Sequence, residues 1–392
     1  MNILFFCPSI EMYGDNIALL NIVPYMQKNN IKPYFAVLYK GGFSQYLEEH
    51  GYTFYILNYS ETNYFLPHNN YSFFWLKKAV ASLLCFFNRR NKINELASWA
   101  KKNNINLVHT NCSNTNLGFA VAQRLKVPHV WHIREYINEF LGARYFPNNA
   151  SFRNKLKSDI NYPIYITNQM AKYWCDIPGT VIYDGVVKLD NIPLIQPEKR
   201  QQILFVGRLV EEKGIKMVIK AFADIHTYFP NLVLLILGAG SPLFEQEIKD
   251  LIIENGISKY VKLLGYVNEV QQIMRESKAI IVASKYESFG FVTAEAMYNG
   301  CPVIGYDVGG TKEQFDNLLN EQGMDLGFRF HDYKTLVAQL KYVLVKSISL
   351  KDLKLAQETV LKLYSIEQSA YKVMKLYNSI LHYDKSNSKI NL

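Results

Sequence analysis

Two carboxylates, Glu287 and Glu295, and two cations, Arg208 and Lys213, are the residues whose types and spacing could do chemistry. The stretch from Ser284 to Glu313 holds both carboxylates, with Ser288, Phe289, Gly290 and Phe291 between them and a Val308-Gly309-Gly310-Thr311 turn after them. Glu287 reads as lying just before a helix, and Glu295 about two turns inside it. Eight helical steps would set their backbones roughly 12 Å apart. Carboxylates at that separation cannot share one hydroxyl as an acid/base pair, but they can grip different parts of an extended ligand, such as a sugar and a ribose. The amides of Phe289, Gly290 and Phe291, at a helix start, can meet an anion. Glu287 alone could equally be a charge at a helix N-terminus.

Arg208 and Lys213 lie in a segment, from Phe205 to Gly214, that leaves a strand and opens a helix. A forked guanidinium plus an ammonium suits a pyrophosphate, whose charge grows as a glycosidic bond breaks. Taken alone, the pair could be ordinary solvated charges. Gly238 and Gly240 end the next strand and permit close backbone approach, and Val267 follows another strand at the same predicted edge. Ordinary turns would also explain these three.

The first half carries further candidates. Gly14, with Asp15 and Asn16, sits in a strand-to-helix turn that could approach a phosphate. His132, Arg134 and Glu135 end a strand, and Asn111 and His109 end an earlier one. Polar side chains at the C-terminal ends of parallel strands point to a ligand cleft; a buried, hydrogen-bonded histidine is the plainer reading for each His. No Asp-x-Asp triplet and no His/Cys/Glu cluster of ligand spacing occurs, so no protein-held metal is expected. A serine-nucleophile elbow and a P-loop are also missing.

Positioning these residues requires alternating strands and helices. Apolar β-branched or aromatic runs recur at residues 3–7, 34–38, 53–57, 107–110, 129–132 and 164–167. A second series covers 202–206, 232–237, 261–264, 279–282 and 302–306. Strands of this kind, with helical patterns between them, predict two α/β domains with buried, doubly wound parallel sheets. The expected domains are 1–190 on the acceptor side and 191–365 on the donor side. Helical residues 366–392 are expected to cross back to the first domain and end in a frayed tail. Residues 188–200, with Pro193 and Pro197, read as the linker.

The 392 residues exceed what one core usually serves. Five scattered cysteines without a Cys-x-x-Cys pair fit a reducing compartment rather than a disulfide or zinc scaffold. The N-terminus reads as a buried strand, not a signal peptide, and no apolar run is long enough to span a bilayer. Through Ile192 there are 19 Lys and Arg against 12 Asp and Glu, so most of the net charge of +9 sits in the first half. The segment from Tyr71 to Lys92 is aromatic-rich and holds five basic residues and no acid. It fits an interfacial helix on an anionic membrane, or equally a core helix with a basic end. No nucleic-acid recognition motif accompanies the charge.

Gly207-Arg208, Lys213-Gly214, Gly238 and Gly240, Glu287 and Glu295, and Gly309-Gly310 follow the order and spacing of the family 4 glycosyltransferases, which have the GT-B fold. The chain resembles that family over essentially its whole length, most specifically from Gln202 to Glu313. Its first half is similar to bacterial members that build capsule, O-antigen or exopolysaccharide repeat units. There Gly14 matches the phosphate-facing glycine loop, and His132 matches a catalytic-site histidine.

The resemblance implies a retaining transferase with Arg208 and Lys213 on the donor diphosphate, Glu287 on the transferred sugar and Glu295 on the ribose. Phe289, Gly290 and Phe291 would present amides, and Gly14, Gly238, Gly240 and Val267 would border the donor. Glu287 is not a nucleophile in this scheme. The leaving phosphate or His132 would help deprotonate the acceptor. Asp15, Asn16, Asn111, Arg134 and Glu135 are the acceptor-side candidates. A UDP-sugar donor is expected ahead of a GDP-sugar, with a saccharide acceptor, lipid-linked, at the inner face of the plasma membrane. A non-catalytic scaffold subunit or a sugar-nucleotide epimerase are the competing expectations. Two departures stand out: Tyr13-Gly14 replaces a Gly-Gly pair, and Asp184 stands before Gly185 where Asn is usual, in a turn that would favour left-handed geometry.

Overall fold

The computed structural model describes residues 1–59, 64–65, 86–137, 144–145, 147–346 and 348–387. Contacts divide the chain into two units, residues 1–185 with 367–392, and residues 186–366. Both are parallel α/β units. Among the described residues no helix is long and apolar enough to cross a membrane.

The first unit contains strands β1 (Asn2–Cys7), β2 (Lys32–Val37), β3 (Thr53–Ile56), β4 (Tyr64–Phe65), β5 (Leu107–Thr110), β6 (His129–Ile133), β7 (Arg144–Tyr145), β8 (Asn161–Tyr165) and β9 (Thr180–Val181). Seven of them form one parallel sheet in the order β3-β2-β1-β5-β6-β8-β9, and β4 pairs antiparallel with β7. Ile3 through Cys7 are wholly buried, because β1 lies mid-sheet with neighbours on both edges and helices over its faces. Helix α1 (Gly14–Lys28) follows β1. The sequence places the β8 strand at 164–167, but the chain leaves the sheet after Tyr165. The Thr167 hydroxyl instead accepts from the Met170 amide at 3.1 Å and caps the next helix.

The second unit contains β10 (Arg200–Val206), β11 (Val233–Leu237), β12 (Val261–Gly265), β13 (Ser277–Val282), β14 (Val303–Tyr306) and β15 (Phe328–Phe330), in the order β12-β11-β10-β13-β14-β15. Helix α2 (Ile215–His226) presents Ile215, Val218, Ile219, Phe222 and Ile225 at helical spacing, and all five are fully buried. Each such side chain contributes roughly 1.5–3 kcal/mol by leaving water. Helices α3 (Phe291–Tyr298) and α4 (Gly309–Gln322) follow β13 and β14. The last helix, α5 (Ile366–Asn387), returns to the first unit, where the Tyr25 hydroxyl on α1 donates to Glu367 at 2.5 Å.

In each sheet the order reverses beside the first strand of the unit, between β1 and β5 and between β10 and β13. Crevices beyond the carboxyl ends of the strands at such reversals are where open α/β sheets take ligands. Of the segment from Tyr71 to Lys92, residues 71–85 lie outside the described residues. Residues 86–92 begin the helix Phe86–Lys102.

Candidate active site

In the second unit, the candidate residues collect at the carboxyl ends of β10, β11, β12 and β13. The Gly207 amide donates to Leu237 O at 3.0 Å and the Gly238 amide to Gly265 O at 2.7 Å, so three strand ends are laced together by backbone. Gly238 has φ +136°, and a Cβ there would lie 1.8 Å from Gly207 O. Only glycine lets the two strand exits touch in this way. Leu209 bridges to Gly240 just beyond. Arg208 therefore emerges from a rigid turn, and its side chain is exposed. Val267 lies two residues past the end of β12.

Lys213 ends a short 3-10 turn, Glu211–Lys213, and its Nζ donates to Glu287 Oε2 at 2.8 Å. Both side chains are mostly covered. Glu287 is also fixed through its backbone: its carbonyl accepts the Gly310 amide at 2.7 Å. Gly309, at φ +54°, leaves no room for a Cβ, which would sit 2.2 Å from that carbonyl. The glycine pair thus locks the Glu287 loop to the start of α4.

Helix α3 begins at Phe291, after Gly290 in the left-handed region at φ +93°, and carries no side-chain cap. Glu287 stands before the helix, as expected, but Glu295 is only about one turn inside it rather than two, because the helix starts no earlier than Phe291. Glu295 is partly buried, and desolvation raises its carboxyl to about 7. No charged neighbour or hydrogen bond contributes to that rise. Gln314, on α4, holds the loop from within: its Nε2 donates to Phe289 O at 2.7 Å and Gly290 O at 2.9 Å. Sequence reasoning missed Gln314, whose only signal is a position one turn beyond the glycine pair.

The first unit brings its candidates together at the ends of β1, β5 and β6. Gly14 is the first residue of α1, whose start has no side-chain cap, and its backbone needs no positive φ. A second glycine before it is not required, since Tyr13 takes an extended conformation there. The remaining candidates are turned largely onto one another. Asp15 accepts from the Ser9 hydroxyl at 2.6 Å and the Cys112 thiol at 3.2 Å. Asn16 is buried and ties down its own loop by donating to the carbonyls of Ser9 and Glu11. Asn111 donates to Asp15 O at 2.9 Å and accepts from Arg134 Nε at 3.2 Å. Glu135 accepts from both the amide and the hydroxyl of Ser113 at 3.0 Å, and burial pushes its carboxyl up.

Arg134 Nη1 donates to both oxygens of Asp184, at 2.6 and 2.5 Å, and both residues are buried. Neither Asp184 nor Gly185 has a positive φ. The turn therefore makes no demand for a left-handed residue, and the acid at 184 serves an ion pair. Burial pushes its carboxyl up while Arg134 opposes that rise. His132 is buried beside them, and His109 reaches the Tyr377 hydroxyl on α5 at 2.6 Å. Tyr377 carries no sequence signal beyond its place in an amphipathic stripe.

Residues 190–356 match the family model of the group 1 glycosyl transferases. Alpha-monoglucosyldiacylglycerol synthase of Acholeplasma laidlawii is 27% identical over 327 residues, covering 72% of this chain and 77% of that protein. An uncharacterized glycosyltransferase of Methanocaldococcus jannaschii, MJ1607, is 28% identical over 195 residues, 48% of each chain. The chain thus spans about half the length of that relative. Among solved structures, Anabaena Alr3699/HepE in complex with UDP superposes with a TM-score of 0.73 at 18% identity, over 97% of this chain and 100% of that one. The fold is therefore that of the two-domain, GT-B-like proteins. The match to the group 1 glycosyl transferases lies within the second unit, and glycosyl transfer is the activity common to that family and both named relatives.

Proposed function

We propose that this chain is a retaining glycosyltransferase that moves a sugar from a nucleoside-diphosphate donor to a saccharide acceptor. The observation that carries the reading is the Lys213–Glu287 ion pair, set beside the exposed Arg208 and the uncapped starts of α3 and α4. One cation and one carboxylate, held together on rigid turns, suit the join between a diphosphate and a sugar, where opposite demands meet within a few ångströms. Lys213 and Arg208 stabilise charge on the departing diphosphate, and Glu287 accepts hydrogen bonds from sugar hydroxyls. In the transfer the C1–O bond to the diphosphate breaks and a bond from an acceptor oxygen to C1 forms. The acceptor proton passes to the departing phosphate. Glu295, one turn along α3, takes the ribose.

The donor we favour is a UDP-sugar, in keeping with the UDP bound by the Anabaena structure. The acceptor we favour is lipid-linked and enters through the first unit, at the inner face of the plasma membrane, in surface polysaccharide assembly. The lipid-acting Acholeplasma relative and the basic excess before Ile192 support that choice. A thermal-shift screen of nucleotide sugars, followed by a hydrolysis assay and NMR assignment of the product anomer, tests the reading. Stabilisation by one UDP-sugar, and a product with the donor's anomeric configuration, are expected. Failure to bind any nucleotide sugar would remove it, and an inverted product would remove the retaining mechanism. Co-sedimentation with anionic vesicles tests the membrane part separately.

A further inference from the structure

Two nitrogen donors converge on one atom of His132. Arg134 Nη2 and His109 Nε2 each lie 3.3 Å from His132 Nδ1. A guanidinium has hydrogens to give and no lone pair to offer. Its approach therefore requires Nδ1 to be the acceptor, which puts the ring proton on Nε2. The second contact is compatible with this: a Tyr377 hydroxyl that donates to His109 Nδ1 leaves the His109 proton on Nε2, where it can donate in turn. Asp184 takes both of its hydrogen bonds from Nη1 of Arg134, and Asn111 takes one from Nε, so the guanidinium cannot rotate away. His132 Nε2 is buried and has no hydrogen-bond partner among the described residues.

We propose that Arg134, braced by Asp184, and the Tyr377–His109 pair act as positioning residues that lock His132 as its neutral Nε2–H tautomer. In that state the ring has one proton to give, to a ligand hydroxyl oxygen, and no lone pair with which to take the acceptor's proton. Deprotonation is then left to the departing phosphate. Burial, the adjacent guanidinium and His109 all hold the His132 imidazole well below its ordinary value, which keeps the ring neutral. Asp184 acquires a reason here: an amide in its place would leave the buried guanidinium without its hydrogen-bonded counter-charge. Only the ligand oxygen rests on the glycosyltransferase reading. The tautomer belongs to the free protein.

Long-range 1H–15N NMR of the full chain labelled at histidine nitrogens reads the tautomer directly, with His132 assigned by its disappearance in H132Q. A protonated Nε2 and a bare Nδ1, unchanged from about pH 6 to pH 8 around the ordinary histidine value, are expected. A protonated Nδ1, or a ring that titrates within that window, would overturn the lock. Tyr377→Phe removes one hydroxyl and should shift the His109 and His132 signals together; unchanged His132 signals would remove Tyr377 from the chain of donors. If turnover is found, H132Q, which still offers an N–H, should retain at least tenfold more activity than H132L. Equal loss in both would overturn the donor role. If no sugar nucleotide is turned over, the functional reading fails and the NMR result stands by itself.

Discussion

Lys213 Nζ and Glu287 Oε2 meet at 2.8 Å across 74 residues of sequence, joining the turn after β10 to the turn after β13. Each of these turns is itself pinned by backbone, at Gly207–Leu237 and at Gly310–Glu287. The pair is thus set by the scaffold before any ligand arrives, so little ordering remains to be done on binding.

Lys213→Met should lower turnover about 100-fold, the usual loss when one charge-stabilising donor is removed. Stability should fall by about 1–3 kcal/mol, since the mostly covered Glu287 carboxylate would lose its partner. Steady-state kinetics beside urea unfolding separates the two effects. Turnover within a few-fold of the unmodified protein would remove Lys213 from the site.

Arg208→Ala tests the diphosphate contact with no penalty to the fold, because the side chain is exposed. Unfolding should shift by no more than about 0.5 kcal/mol. Nucleoside-diphosphate affinity should fall about 10- to 100-fold, the worth of a charge-assisted hydrogen bond. Calorimetry with UDP and UMP checks this, and an equal loss for both nucleotides would argue against a contact to the outer phosphate.

Glu295 makes stability depend on pH. Its folded carboxyl, at about 7, lies above the ordinary 4.5, so the folded state binds the proton more tightly than the unfolded chain. The resulting stabilisation is full below about pH 4.5, declines as pH rises, and is gone above about 7, a swing of up to roughly 3 kcal/mol. Glu295→Gln should therefore gain stability relative to the unmodified protein between pH 5 and pH 8. A difference that does not vary with pH would contradict the desolvated carboxyl. Ribose hydroxyls donate best to the ionised form, so UDP should bind more tightly at pH 8 than at pH 6.

Gly238→Ala should destabilise by at least about 3 kcal/mol, because the new methyl would strike the Gly207 carbonyl and no flexible side chain can yield. Gly256→Ala is the control: its φ of +69° is left-handed too, but a Cβ there meets nothing within 4 Å. Its cost should stay near 1–2 kcal/mol. Equal midpoints in chemical denaturation would show that the close approach of the two strand exits does not matter.

The strand centres were legible in the sequence because buried parallel strands are uninterrupted apolar runs, as at residues 232–237 and 279–282. The ends were less so. Thr167 looks like a strand residue, yet its hydroxyl is worth more as a helix cap. Arg208 and Glu287 stand close behind β10 and β13 and were legible as charges at strand ends, whereas Lys213 and Glu295 lie farther along and drew their reading from the family resemblance. The geometry joining them was not legible, because one left-handed glycine at 290 replaces a presumed helical turn. The network around His132 was illegible for another reason. It draws Asp184 from 50 residues beyond Arg134 and Tyr377 from 268 residues beyond His109, distances over which periodicity carries nothing. Asp184 looked like a weakened turn residue, whereas it is half of a buried ion pair.

Because α5 is counted with the first unit, that unit is written in two instalments, with residues 186–366 between them. At ordinary rates of synthesis the intervening residues take roughly 10–40 s to emerge. For that interval the first sheet must persist without Tyr377 and Glu367, which His109 and Tyr25 meet only in the finished unit. The histidine lock is consequently completed only after residues 186–366 have been made. A ribosome that stops just after Ile366 releases a chain whose second unit is whole and whose first is not.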